Sequence, residues 1–188
     1  MDDGTTTKTG WIKGFLKELG KLILLIVFVV IPFRLYIAQP FLVSGASMTP
    51  TFQDKDYLIV DQISFKINDL NRQDVIVFKP PFSSSTYYIK RVIGFPGETI
   101  IIKDGAVTIK TKDNETFTLE EPYIVYQKSD VSLTTILKNN EYFVMGDNRA
   151  GSYDSRSWGP LGQDRIIGRP FIRILPLTEI GIWPGHTK

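Results

Sequence analysis

Residues 99–109 read Thr99-Ile100-Ile101-Ile102-Lys103-Asp104-Gly105-Ala106-Val107-Thr108-Ile109. Two β-branched runs, 99–102 and 107–109, flank an Asp-Gly pair. β-Branched side chains are stiff and pack well on a pleated surface, and Asp-Gly tolerates the positive φ that a tight antiparallel turn requires. The stretch predicts a hairpin. Outward from it, runs of the same kind occupy residues 57–60, 75–78 and 142–145, bounded by Asp, Asn, Gly and Pro. Residues 40–43 also read as extended, while 131–137 fit either a helical turn or a strand. No dozen-residue amphipathic helix pattern follows residue 39, and no repeat, low-complexity tract or second linker interrupts the chain. The expected fold class is mainly β, a closed or strongly coiled antiparallel sheet.

The N-terminal region has another character. Residues 1–10 are polar, and 11–21 mix apolar side chains with Lys13, Lys17 and Lys21, the pattern of a short interfacial helix. Residues 22–33 carry no charge, and the wider stretch 19–38 is long enough, at roughly 30 Å as a helix, to cross a hydrocarbon core. Pro32 and Arg34 fall near its outer end, where a long cationic side chain can snorkel to the interface. A cleavable leader fits less well, because bulky Tyr36 stands three residues upstream of a cut near Ala38. Lys8, Lys13, Lys17 and Lys21 precede the apolar run, so the basic side is expected inside the cell. The expected organisation is a cytoplasmic segment 1–18, one transmembrane helix 19–38 and an exterior β domain 39–188.

Composition narrows the chemistry. The chain has 188 residues, no Cys and one His. Thiol nucleophiles, disulfide frameworks and Cys-ligated metals are excluded. His186 lies in the C-terminal tail, where it is expected to be exposed, so a Ser-His-Asp triad and a His-rich metal site are not expected. Net charge is +2 with no basic stripe, which does not suggest nucleic acid as a partner.

Three segments carry candidate chemistry. The first is Ser44-Gly45-Ala46-Ser47-Met48-Thr49-Pro50-Thr51, directly after the extended residues 40–43. Small residues allow close backbone approach, Gly45 can take conformations closed to other residues, and Pro50 stops the loop from continuing as a ladder. Such a loop presents a hydroxyl and leaves N–H groups for an oxyanion; it is equally the composition of an ordinary turn. The second is Tyr87-Tyr88-Ile89-Lys90-Arg91-Val92-Ile93-Gly94. Strand alternation sets Tyr88, Lys90 and Val92 on one face, and desolvation there lowers a lysine pKa towards that of a general base. A snorkelling edge-strand lysine is the plainer alternative. The third is Gly146-Asp147-Asn148-Arg149-Ala150-Gly151-Ser152-Tyr153-Asp154-Ser155-Arg156. In extended chain the spacing of two sets Asp147 beside Arg149 and Asp154 beside Arg156, pairs that more often lock structure than catalyse. Ser152 offers a hydroxyl that can orient an amine.

Taken together, these segments resemble the motif boxes of the type I signal peptidases. Asn71-Arg72-Gln73-Asp74-Val75-Ile76-Val77-Phe78 resembles a further box, and Phe95-Pro96-Gly97-Glu98 continues the lysine box. The likeness runs in order from about Ile31 to Arg173. It implies that Ser47 is the acylated nucleophile, Lys90 its general base and Ser152 the hydroxyl that positions the lysine. It implies that Asp147, Arg149, Asp154 and Arg156 brace the site and that the Ser47 N–H contributes to the oxyanion hole. Some members carry a side-chain hydroxyl where this chain has Gly45, and an Asp is common where it has Ala150, so a second oxyanion donor and one ionic contact are in question.

The resemblance further implies a coiled antiparallel β catalytic domain behind a membrane anchor, acting without metal or cofactor. The activity would be endoproteolysis of exported preproteins after small-x-small sites such as Ala-x-Ala. Phe41, Val43, Val77, Tyr88 and Ile89 would flank the extended substrate, Phe41, Val43, Val77 and Ile89 lining two shallow apolar pockets, though each of these four also fits plain core. Expected partners are preproteins, the lipid bilayer and the protein export channel. Rival readings are a self-cleaving Ser-Lys repressor, which would carry a DNA-binding module in place of the anchor, a membrane peptidase dedicated to one substrate, and an inactive tethered scaffold. The joint presence of Ser47, Lys90 and Ser152 argues against the last.

Overall fold

A computed structural model describes residues 6–31 and 38–185. The chain divides into two compact units, Met1–Gln39 and Pro40–Lys188.

In the first unit, helix α1 (Thr6–Leu25) continues into a π-helical turn, Ile26–Val30. The expected interfacial stretch 11–21 and residues 22–30 form one continuous helix. No proline stands between residues 11 and 25, and an exposed Glu18–Lys21 pair at 2.7 Å adds local support. Side chains of residues 22–31 are apolar and exposed all round the helix. Among the described residues no helix is long and apolar enough to cross a membrane. The expected span 19–38 includes residues 32–37, and these, like His186, lie outside the described residues.

The second unit is built on antiparallel strands. Its larger sheet joins β1 (Ala38–Leu42), β2 (Tyr57–Asp61), β3 (Val75–Phe78), β4 (Tyr88–Gly94), β9 (Glu141–Met145), β10 (Leu161–Gly162), β11 (Ile166–Leu175) and β12 (Gly181–Ile182). The strand order is β1-β2-β11-β3-β4-β9-β10, with β12 also on β11. The smaller sheet joins β5 (Thr99–Lys103), β6 (Ala106–Lys110), β7 (Thr116–Thr118) and β8 (Leu133–Ile136) in the order β7-β6-β5-β8. Hairpin β5–β6 forms as its sequence dictates, with positive φ at both Asp104 and Gly105. Within residues 131–137, Leu133–Ile136 form a strand rather than a helical turn.

Alternation explains why β4 and β9 are buried on both faces. Val92, Tyr142 and Val144 enter one core with Ile76, Phe78 and Leu161. Their neighbours Ile93, Phe143 and Met145 enter a second core with the hairpin residues Ile100, Ile102, Val107 and Ile109. A third core of Val43, Met48, Phe52, Leu58 and Val75 underlies the Ser47 loop. Strand β11 bridges β2 and β3, and its register shifts near Pro170 and Gly168 are the bulges by which a long strand bends.

Candidate active site

The bend of the larger sheet leaves a cleft. Strand β1 ends the sheet order with β2 as its strand partner. Strand β4 pairs with β3 from Tyr88 onwards but meets β9 only from Arg91, so residues 88–90 keep one edge free. Between these edges lies a cavity of about 450 Å³. Its walls include Phe41, Val43, Val77, Tyr88 and Ile89, together with Ser47 and Lys90. All five positions expected to flank a substrate therefore line one space, and Val43 and Val77 serve the packed interior as well.

Ser47 is held by a loop with little freedom. Gly45 sits at φ +93°, a region that disfavours side chains, and its N–H donates to the Asp54 carboxylate at 2.9 Å. Met48 and Phe52 bury the loop's underside, and the Phe52 N–H donates to the Met48 carbonyl. From the other side, the Asn148 N–H donates to the Ser47 carbonyl at 3.1 Å and the Asn148 side-chain amide donates to the Ala46 carbonyl at 3.1 Å. Among the described residues no hydrogen bond uses the Ser47 N–H. Gly45 brings no hydroxyl, and its N–H is taken by Asp54.

Lys90 is only 3% exposed, and its Nζ lies 2.7 Å from Ser47 Oγ. Its other hydrogen bond goes to the Ile89 carbonyl at 2.9 Å, and the Tyr88 ring lies 5.3 Å away. No carboxylate is within ion-pairing distance of it among the described residues. Burial lowers its pKa from 10.5 to about 8; the charges of Asp154 and Asp147 oppose that fall, while Arg156 adds to it. Ser152 Oγ is buried without a hydrogen-bond partner among the described residues, so the hydrogen bond to Lys90 that the resemblance implies is not made here.

The ionic residues differ from the pairing that spacing suggests. Asp154 does bind Arg156, at 2.8 Å, although as the N-cap of the short helix Ser155–Trp158 rather than in extended chain. Burial tends to raise the Asp154 pKa, but Arg156 and the Gly146 N–H together hold it below its usual value. Asp147 does not pair with Arg149. The chain turns at Asn148 to clamp the Ser47 loop, which sends the two side chains apart. Asp147, fully buried, receives Arg91 through both carboxylate oxygens at 2.8 and 2.6 Å and a hydrogen bond from Thr51. Arg149 instead binds Glu121, and the Tyr123 hydroxyl donates to Glu121 while its ring stacks 4.0 Å from the Arg91 guanidinium. Ala150, where an ionic contact was in question, is exposed and donates its N–H to the Tyr126 carbonyl. The two further matching boxes meet as well, Arg72 binding both oxygens of Glu98.

Arg91 and Glu121 were not singled out by sequence reading. For Arg91 a signal existed, since alternation directs it opposite Lys90 between apolar neighbours, where a guanidinium needs a carboxylate. Glu121 lies in an irregular segment, and nothing local marks it.

The family model described as "Signal peptidase, peptidase S26" matches residues 16–175. The chain belongs to this family. It is 32% identical over 170 residues to probable signal peptidase I-2 of Synechocystis, covering 88% of this chain and 76% of that protein. It is 36% identical over 174 residues to signal peptidase I T of Bacillus subtilis, covering 87% of each chain. A solved structure of a signal peptidase I from Enterococcus faecalis is 28% identical, covers 54% of this chain and 97% of that one, and superposes with a TM-score of 0.46. Membership of the signal peptidase family makes the chain a serine peptidase of the signal peptidase I class, acting in the removal of signal peptides.

Proposed function

We propose that this signal peptidase cleaves exported preproteins after small-x-small sites with Ser47 as nucleophile and Lys90 as general base. The observation that carries the reading is the 2.7 Å contact between Ser47 Oγ and a buried amine that lacks a counter-ion among the described residues. In its neutral form Lys90 takes the Ser47 proton as Oγ bonds to the scissile carbonyl carbon, and the free Ser47 N–H faces the developing oxyanion. The ammonium then protonates the leaving amine as the C–N bond breaks, which leaves an ester on Ser47. Water adds to that ester after passing a proton to Lys90, and the serine regains the proton as it leaves. Ser152 would orient the amine, with Asp147, Arg149, Asp154 and Arg156 bracing the loops around it.

An extended peptide suits the cleft because two strand edges face it, so main-chain hydrogen bonds can form without regard to sequence. Alternate side chains would then point at the shallow apolar surfaces of Phe41, Val43, Val77 and Ile89, which leave room for small residues. The anchor completes the reading, with residues 1–18 cytoplasmic, 19–38 spanning the bilayer and 39–188 exterior. It is supported by the apolar residues 22–31, exposed on every side of their helix. The enzyme would thus work at the cell membrane, beside the bilayer and the export channel.

The test is incubation of the full chain, in detergent micelles, with a preprotein carrying an Ala-x-Ala site. Ser47→Ala and Lys90→Ala are each expected to reduce cleavage by about 10⁴-fold or more while the circular dichroism spectrum stays that of the wild type. Near-full cleavage by folded Lys90→Ala enzyme would sink the dyad assignment.

A further inference from the structure

Two aromatic side chains beside the cleft have no place in the core. Phe82 and Tyr153 are 54% and 55% exposed, yet their ring centroids stand 5.7 Å apart. Phe82 also meets the Tyr88 ring at 5.8 Å, and Tyr88 is the ring that lies 5.3 Å from the Lys90 amine. A row of rings therefore leads outward from the reacting atoms. Phe82 and Tyr153 come from separate loops, each fixed independently, and Tyr88 stands on β4. Tyr153 follows Ser152 on the loop that Asn148 fastens to the Ser47 segment. Phe82 rides on the connection between β3 and β4, which the Ser83 hydroxyl closes by accepting the Thr86 N–H at 3.2 Å. Exposed rings held in register from two loops form a preorganised apolar wall.

That wall borders the cleft, since Tyr153 and Gly151 line the same cavity as Ser47. The following step rests on the cleavage reading above. With the residues before the cut lying along Val43, Val77 and Ile89, the chain beyond the scissile bond leaves past Ser47 and meets Gly151 and Tyr153. We propose that Tyr153 and Phe82 form an aromatic clasp for the first residue after the cut and favour a large apolar side chain there. Continuity with the cleft is what selects the departing peptide as occupant over a lipid surface.

Two soluble peptides that differ only in this residue, Leu or Gly, test the proposal with the full chain in micelles. The readout is the Leu-to-Gly ratio of kcat/KM, which a general loss of structure would not move. Tyr153→Ala should lower the ratio about tenfold, as expected for uncovering a buried aliphatic side chain. Phe82→Ala should lower it by less, and Tyr153→Phe should preserve it, because the ring and not the hydroxyl makes the wall. An unchanged ratio in Tyr153→Ala overturns the clasp, as does an equal shift when the varied residue is the middle one before the cut. An unchanged ratio in micelles with slower cleavage in lipid vesicles would make the wall a lipid contact and also overturn it. A wild-type chain that cleaves neither peptide overturns the cleavage reading and the clasp with it; one that cleaves both with a ratio insensitive to Tyr153 overturns the clasp alone.

Discussion

The two faces of strand β4 bury adjacent cations and treat them in opposite ways. On one face Lys90 has no carboxylate partner among the described residues, only a serine hydroxyl and a carbonyl, and burial lowers its pKa to about 8. On the other, Arg91 is 1% exposed and spends its donors on Asp147, on the carbonyls of Gln73 and Gly185 and on Thr51. A buried cation is either made to give up its proton more readily or is matched by an anion. Lysine suits the first course because its pKa shifts readily, and arginine suits the second because it stays charged at any usable pH and binds carboxylates in a fixed fork. One face thus holds a group able to move a proton, and the face behind it holds a lock that fixes the strand carrying that group.

Methionine substitutions at the two positions should separate these roles. Arg91→Met leaves the buried Asp147 carboxylate with only its Thr51 contact, and removing one partner of a buried pair costs about 3–5 kcal/mol, so the melting temperature should fall sharply. Lys90→Met should do the reverse. The folded pKa of Lys90 lies below its unfolded value, so at pH 7 the amine is protonated in both states and burial of the charge opposes folding in full. That cost fades as pH rises from about 8 to 10.5, because the folded state releases its proton first. Removing the amine should therefore stabilise the inactive chain by up to about 3 kcal/mol at pH 7 and by nearly nothing above pH 10.5. Denaturant titrations of both variants at the two pH values check this. A destabilised Lys90→Met protein at neutral pH would show that Lys90 is held as an integral part of an ion network, like its neighbour.

A smaller effect probes how the two faces are joined. A Cβ built on Gly146 would lie 2.4 Å from the Ser47 carbonyl oxygen and 2.3 Å from Ser152 Oγ. Gly146→Ala must therefore push the Ser47 loop away from β9. A displacement near 1 Å at a reacting group costs about 10²-fold in rate, so kcat should fall by about that factor with a modest change in KM. Unaltered kcat in this variant would mean that the contact between the two loops does not set the Ser47 position.

Much of the β unit was legible because its strands obey local rules. The hairpin at residues 99–109 and the runs at 57–60, 75–78 and 142–145 all formed within a residue of their expected bounds. Strand β11, the longest, went unread. Gly168 and Pro170 interrupt its pattern and read as loop signals, yet they sit at the bulges where the strand passes from β3 to β2. A Cβ on Gly168 would approach the Asp61 carbonyl to 2.1 Å, so the glycine marks close approach of a neighbouring strand rather than a turn. The site shows the same division. Burial of Lys90 followed from alternation beside Tyr88 and Val92, whereas the partners of Asp147 and Arg149 lie 56 and 28 positions away and no local spacing encodes them. Ionic partners are set by which loops the fold brings together, and strand faces are set by the chain itself.

The most direct test of the central claim is the pH dependence of kcat/KM on a soluble Ala-x-Ala peptide. Activity needs the neutral amine, so the acid limb should rise with pH and level off through an apparent pKa of about 8. Lys90→Arg, permanently charged, should be inactive across the whole range. A wild-type profile still climbing near pH 10.5, the ordinary value for lysine, or an active Lys90→Arg enzyme, would contradict the assignment of Lys90 as a buried general base.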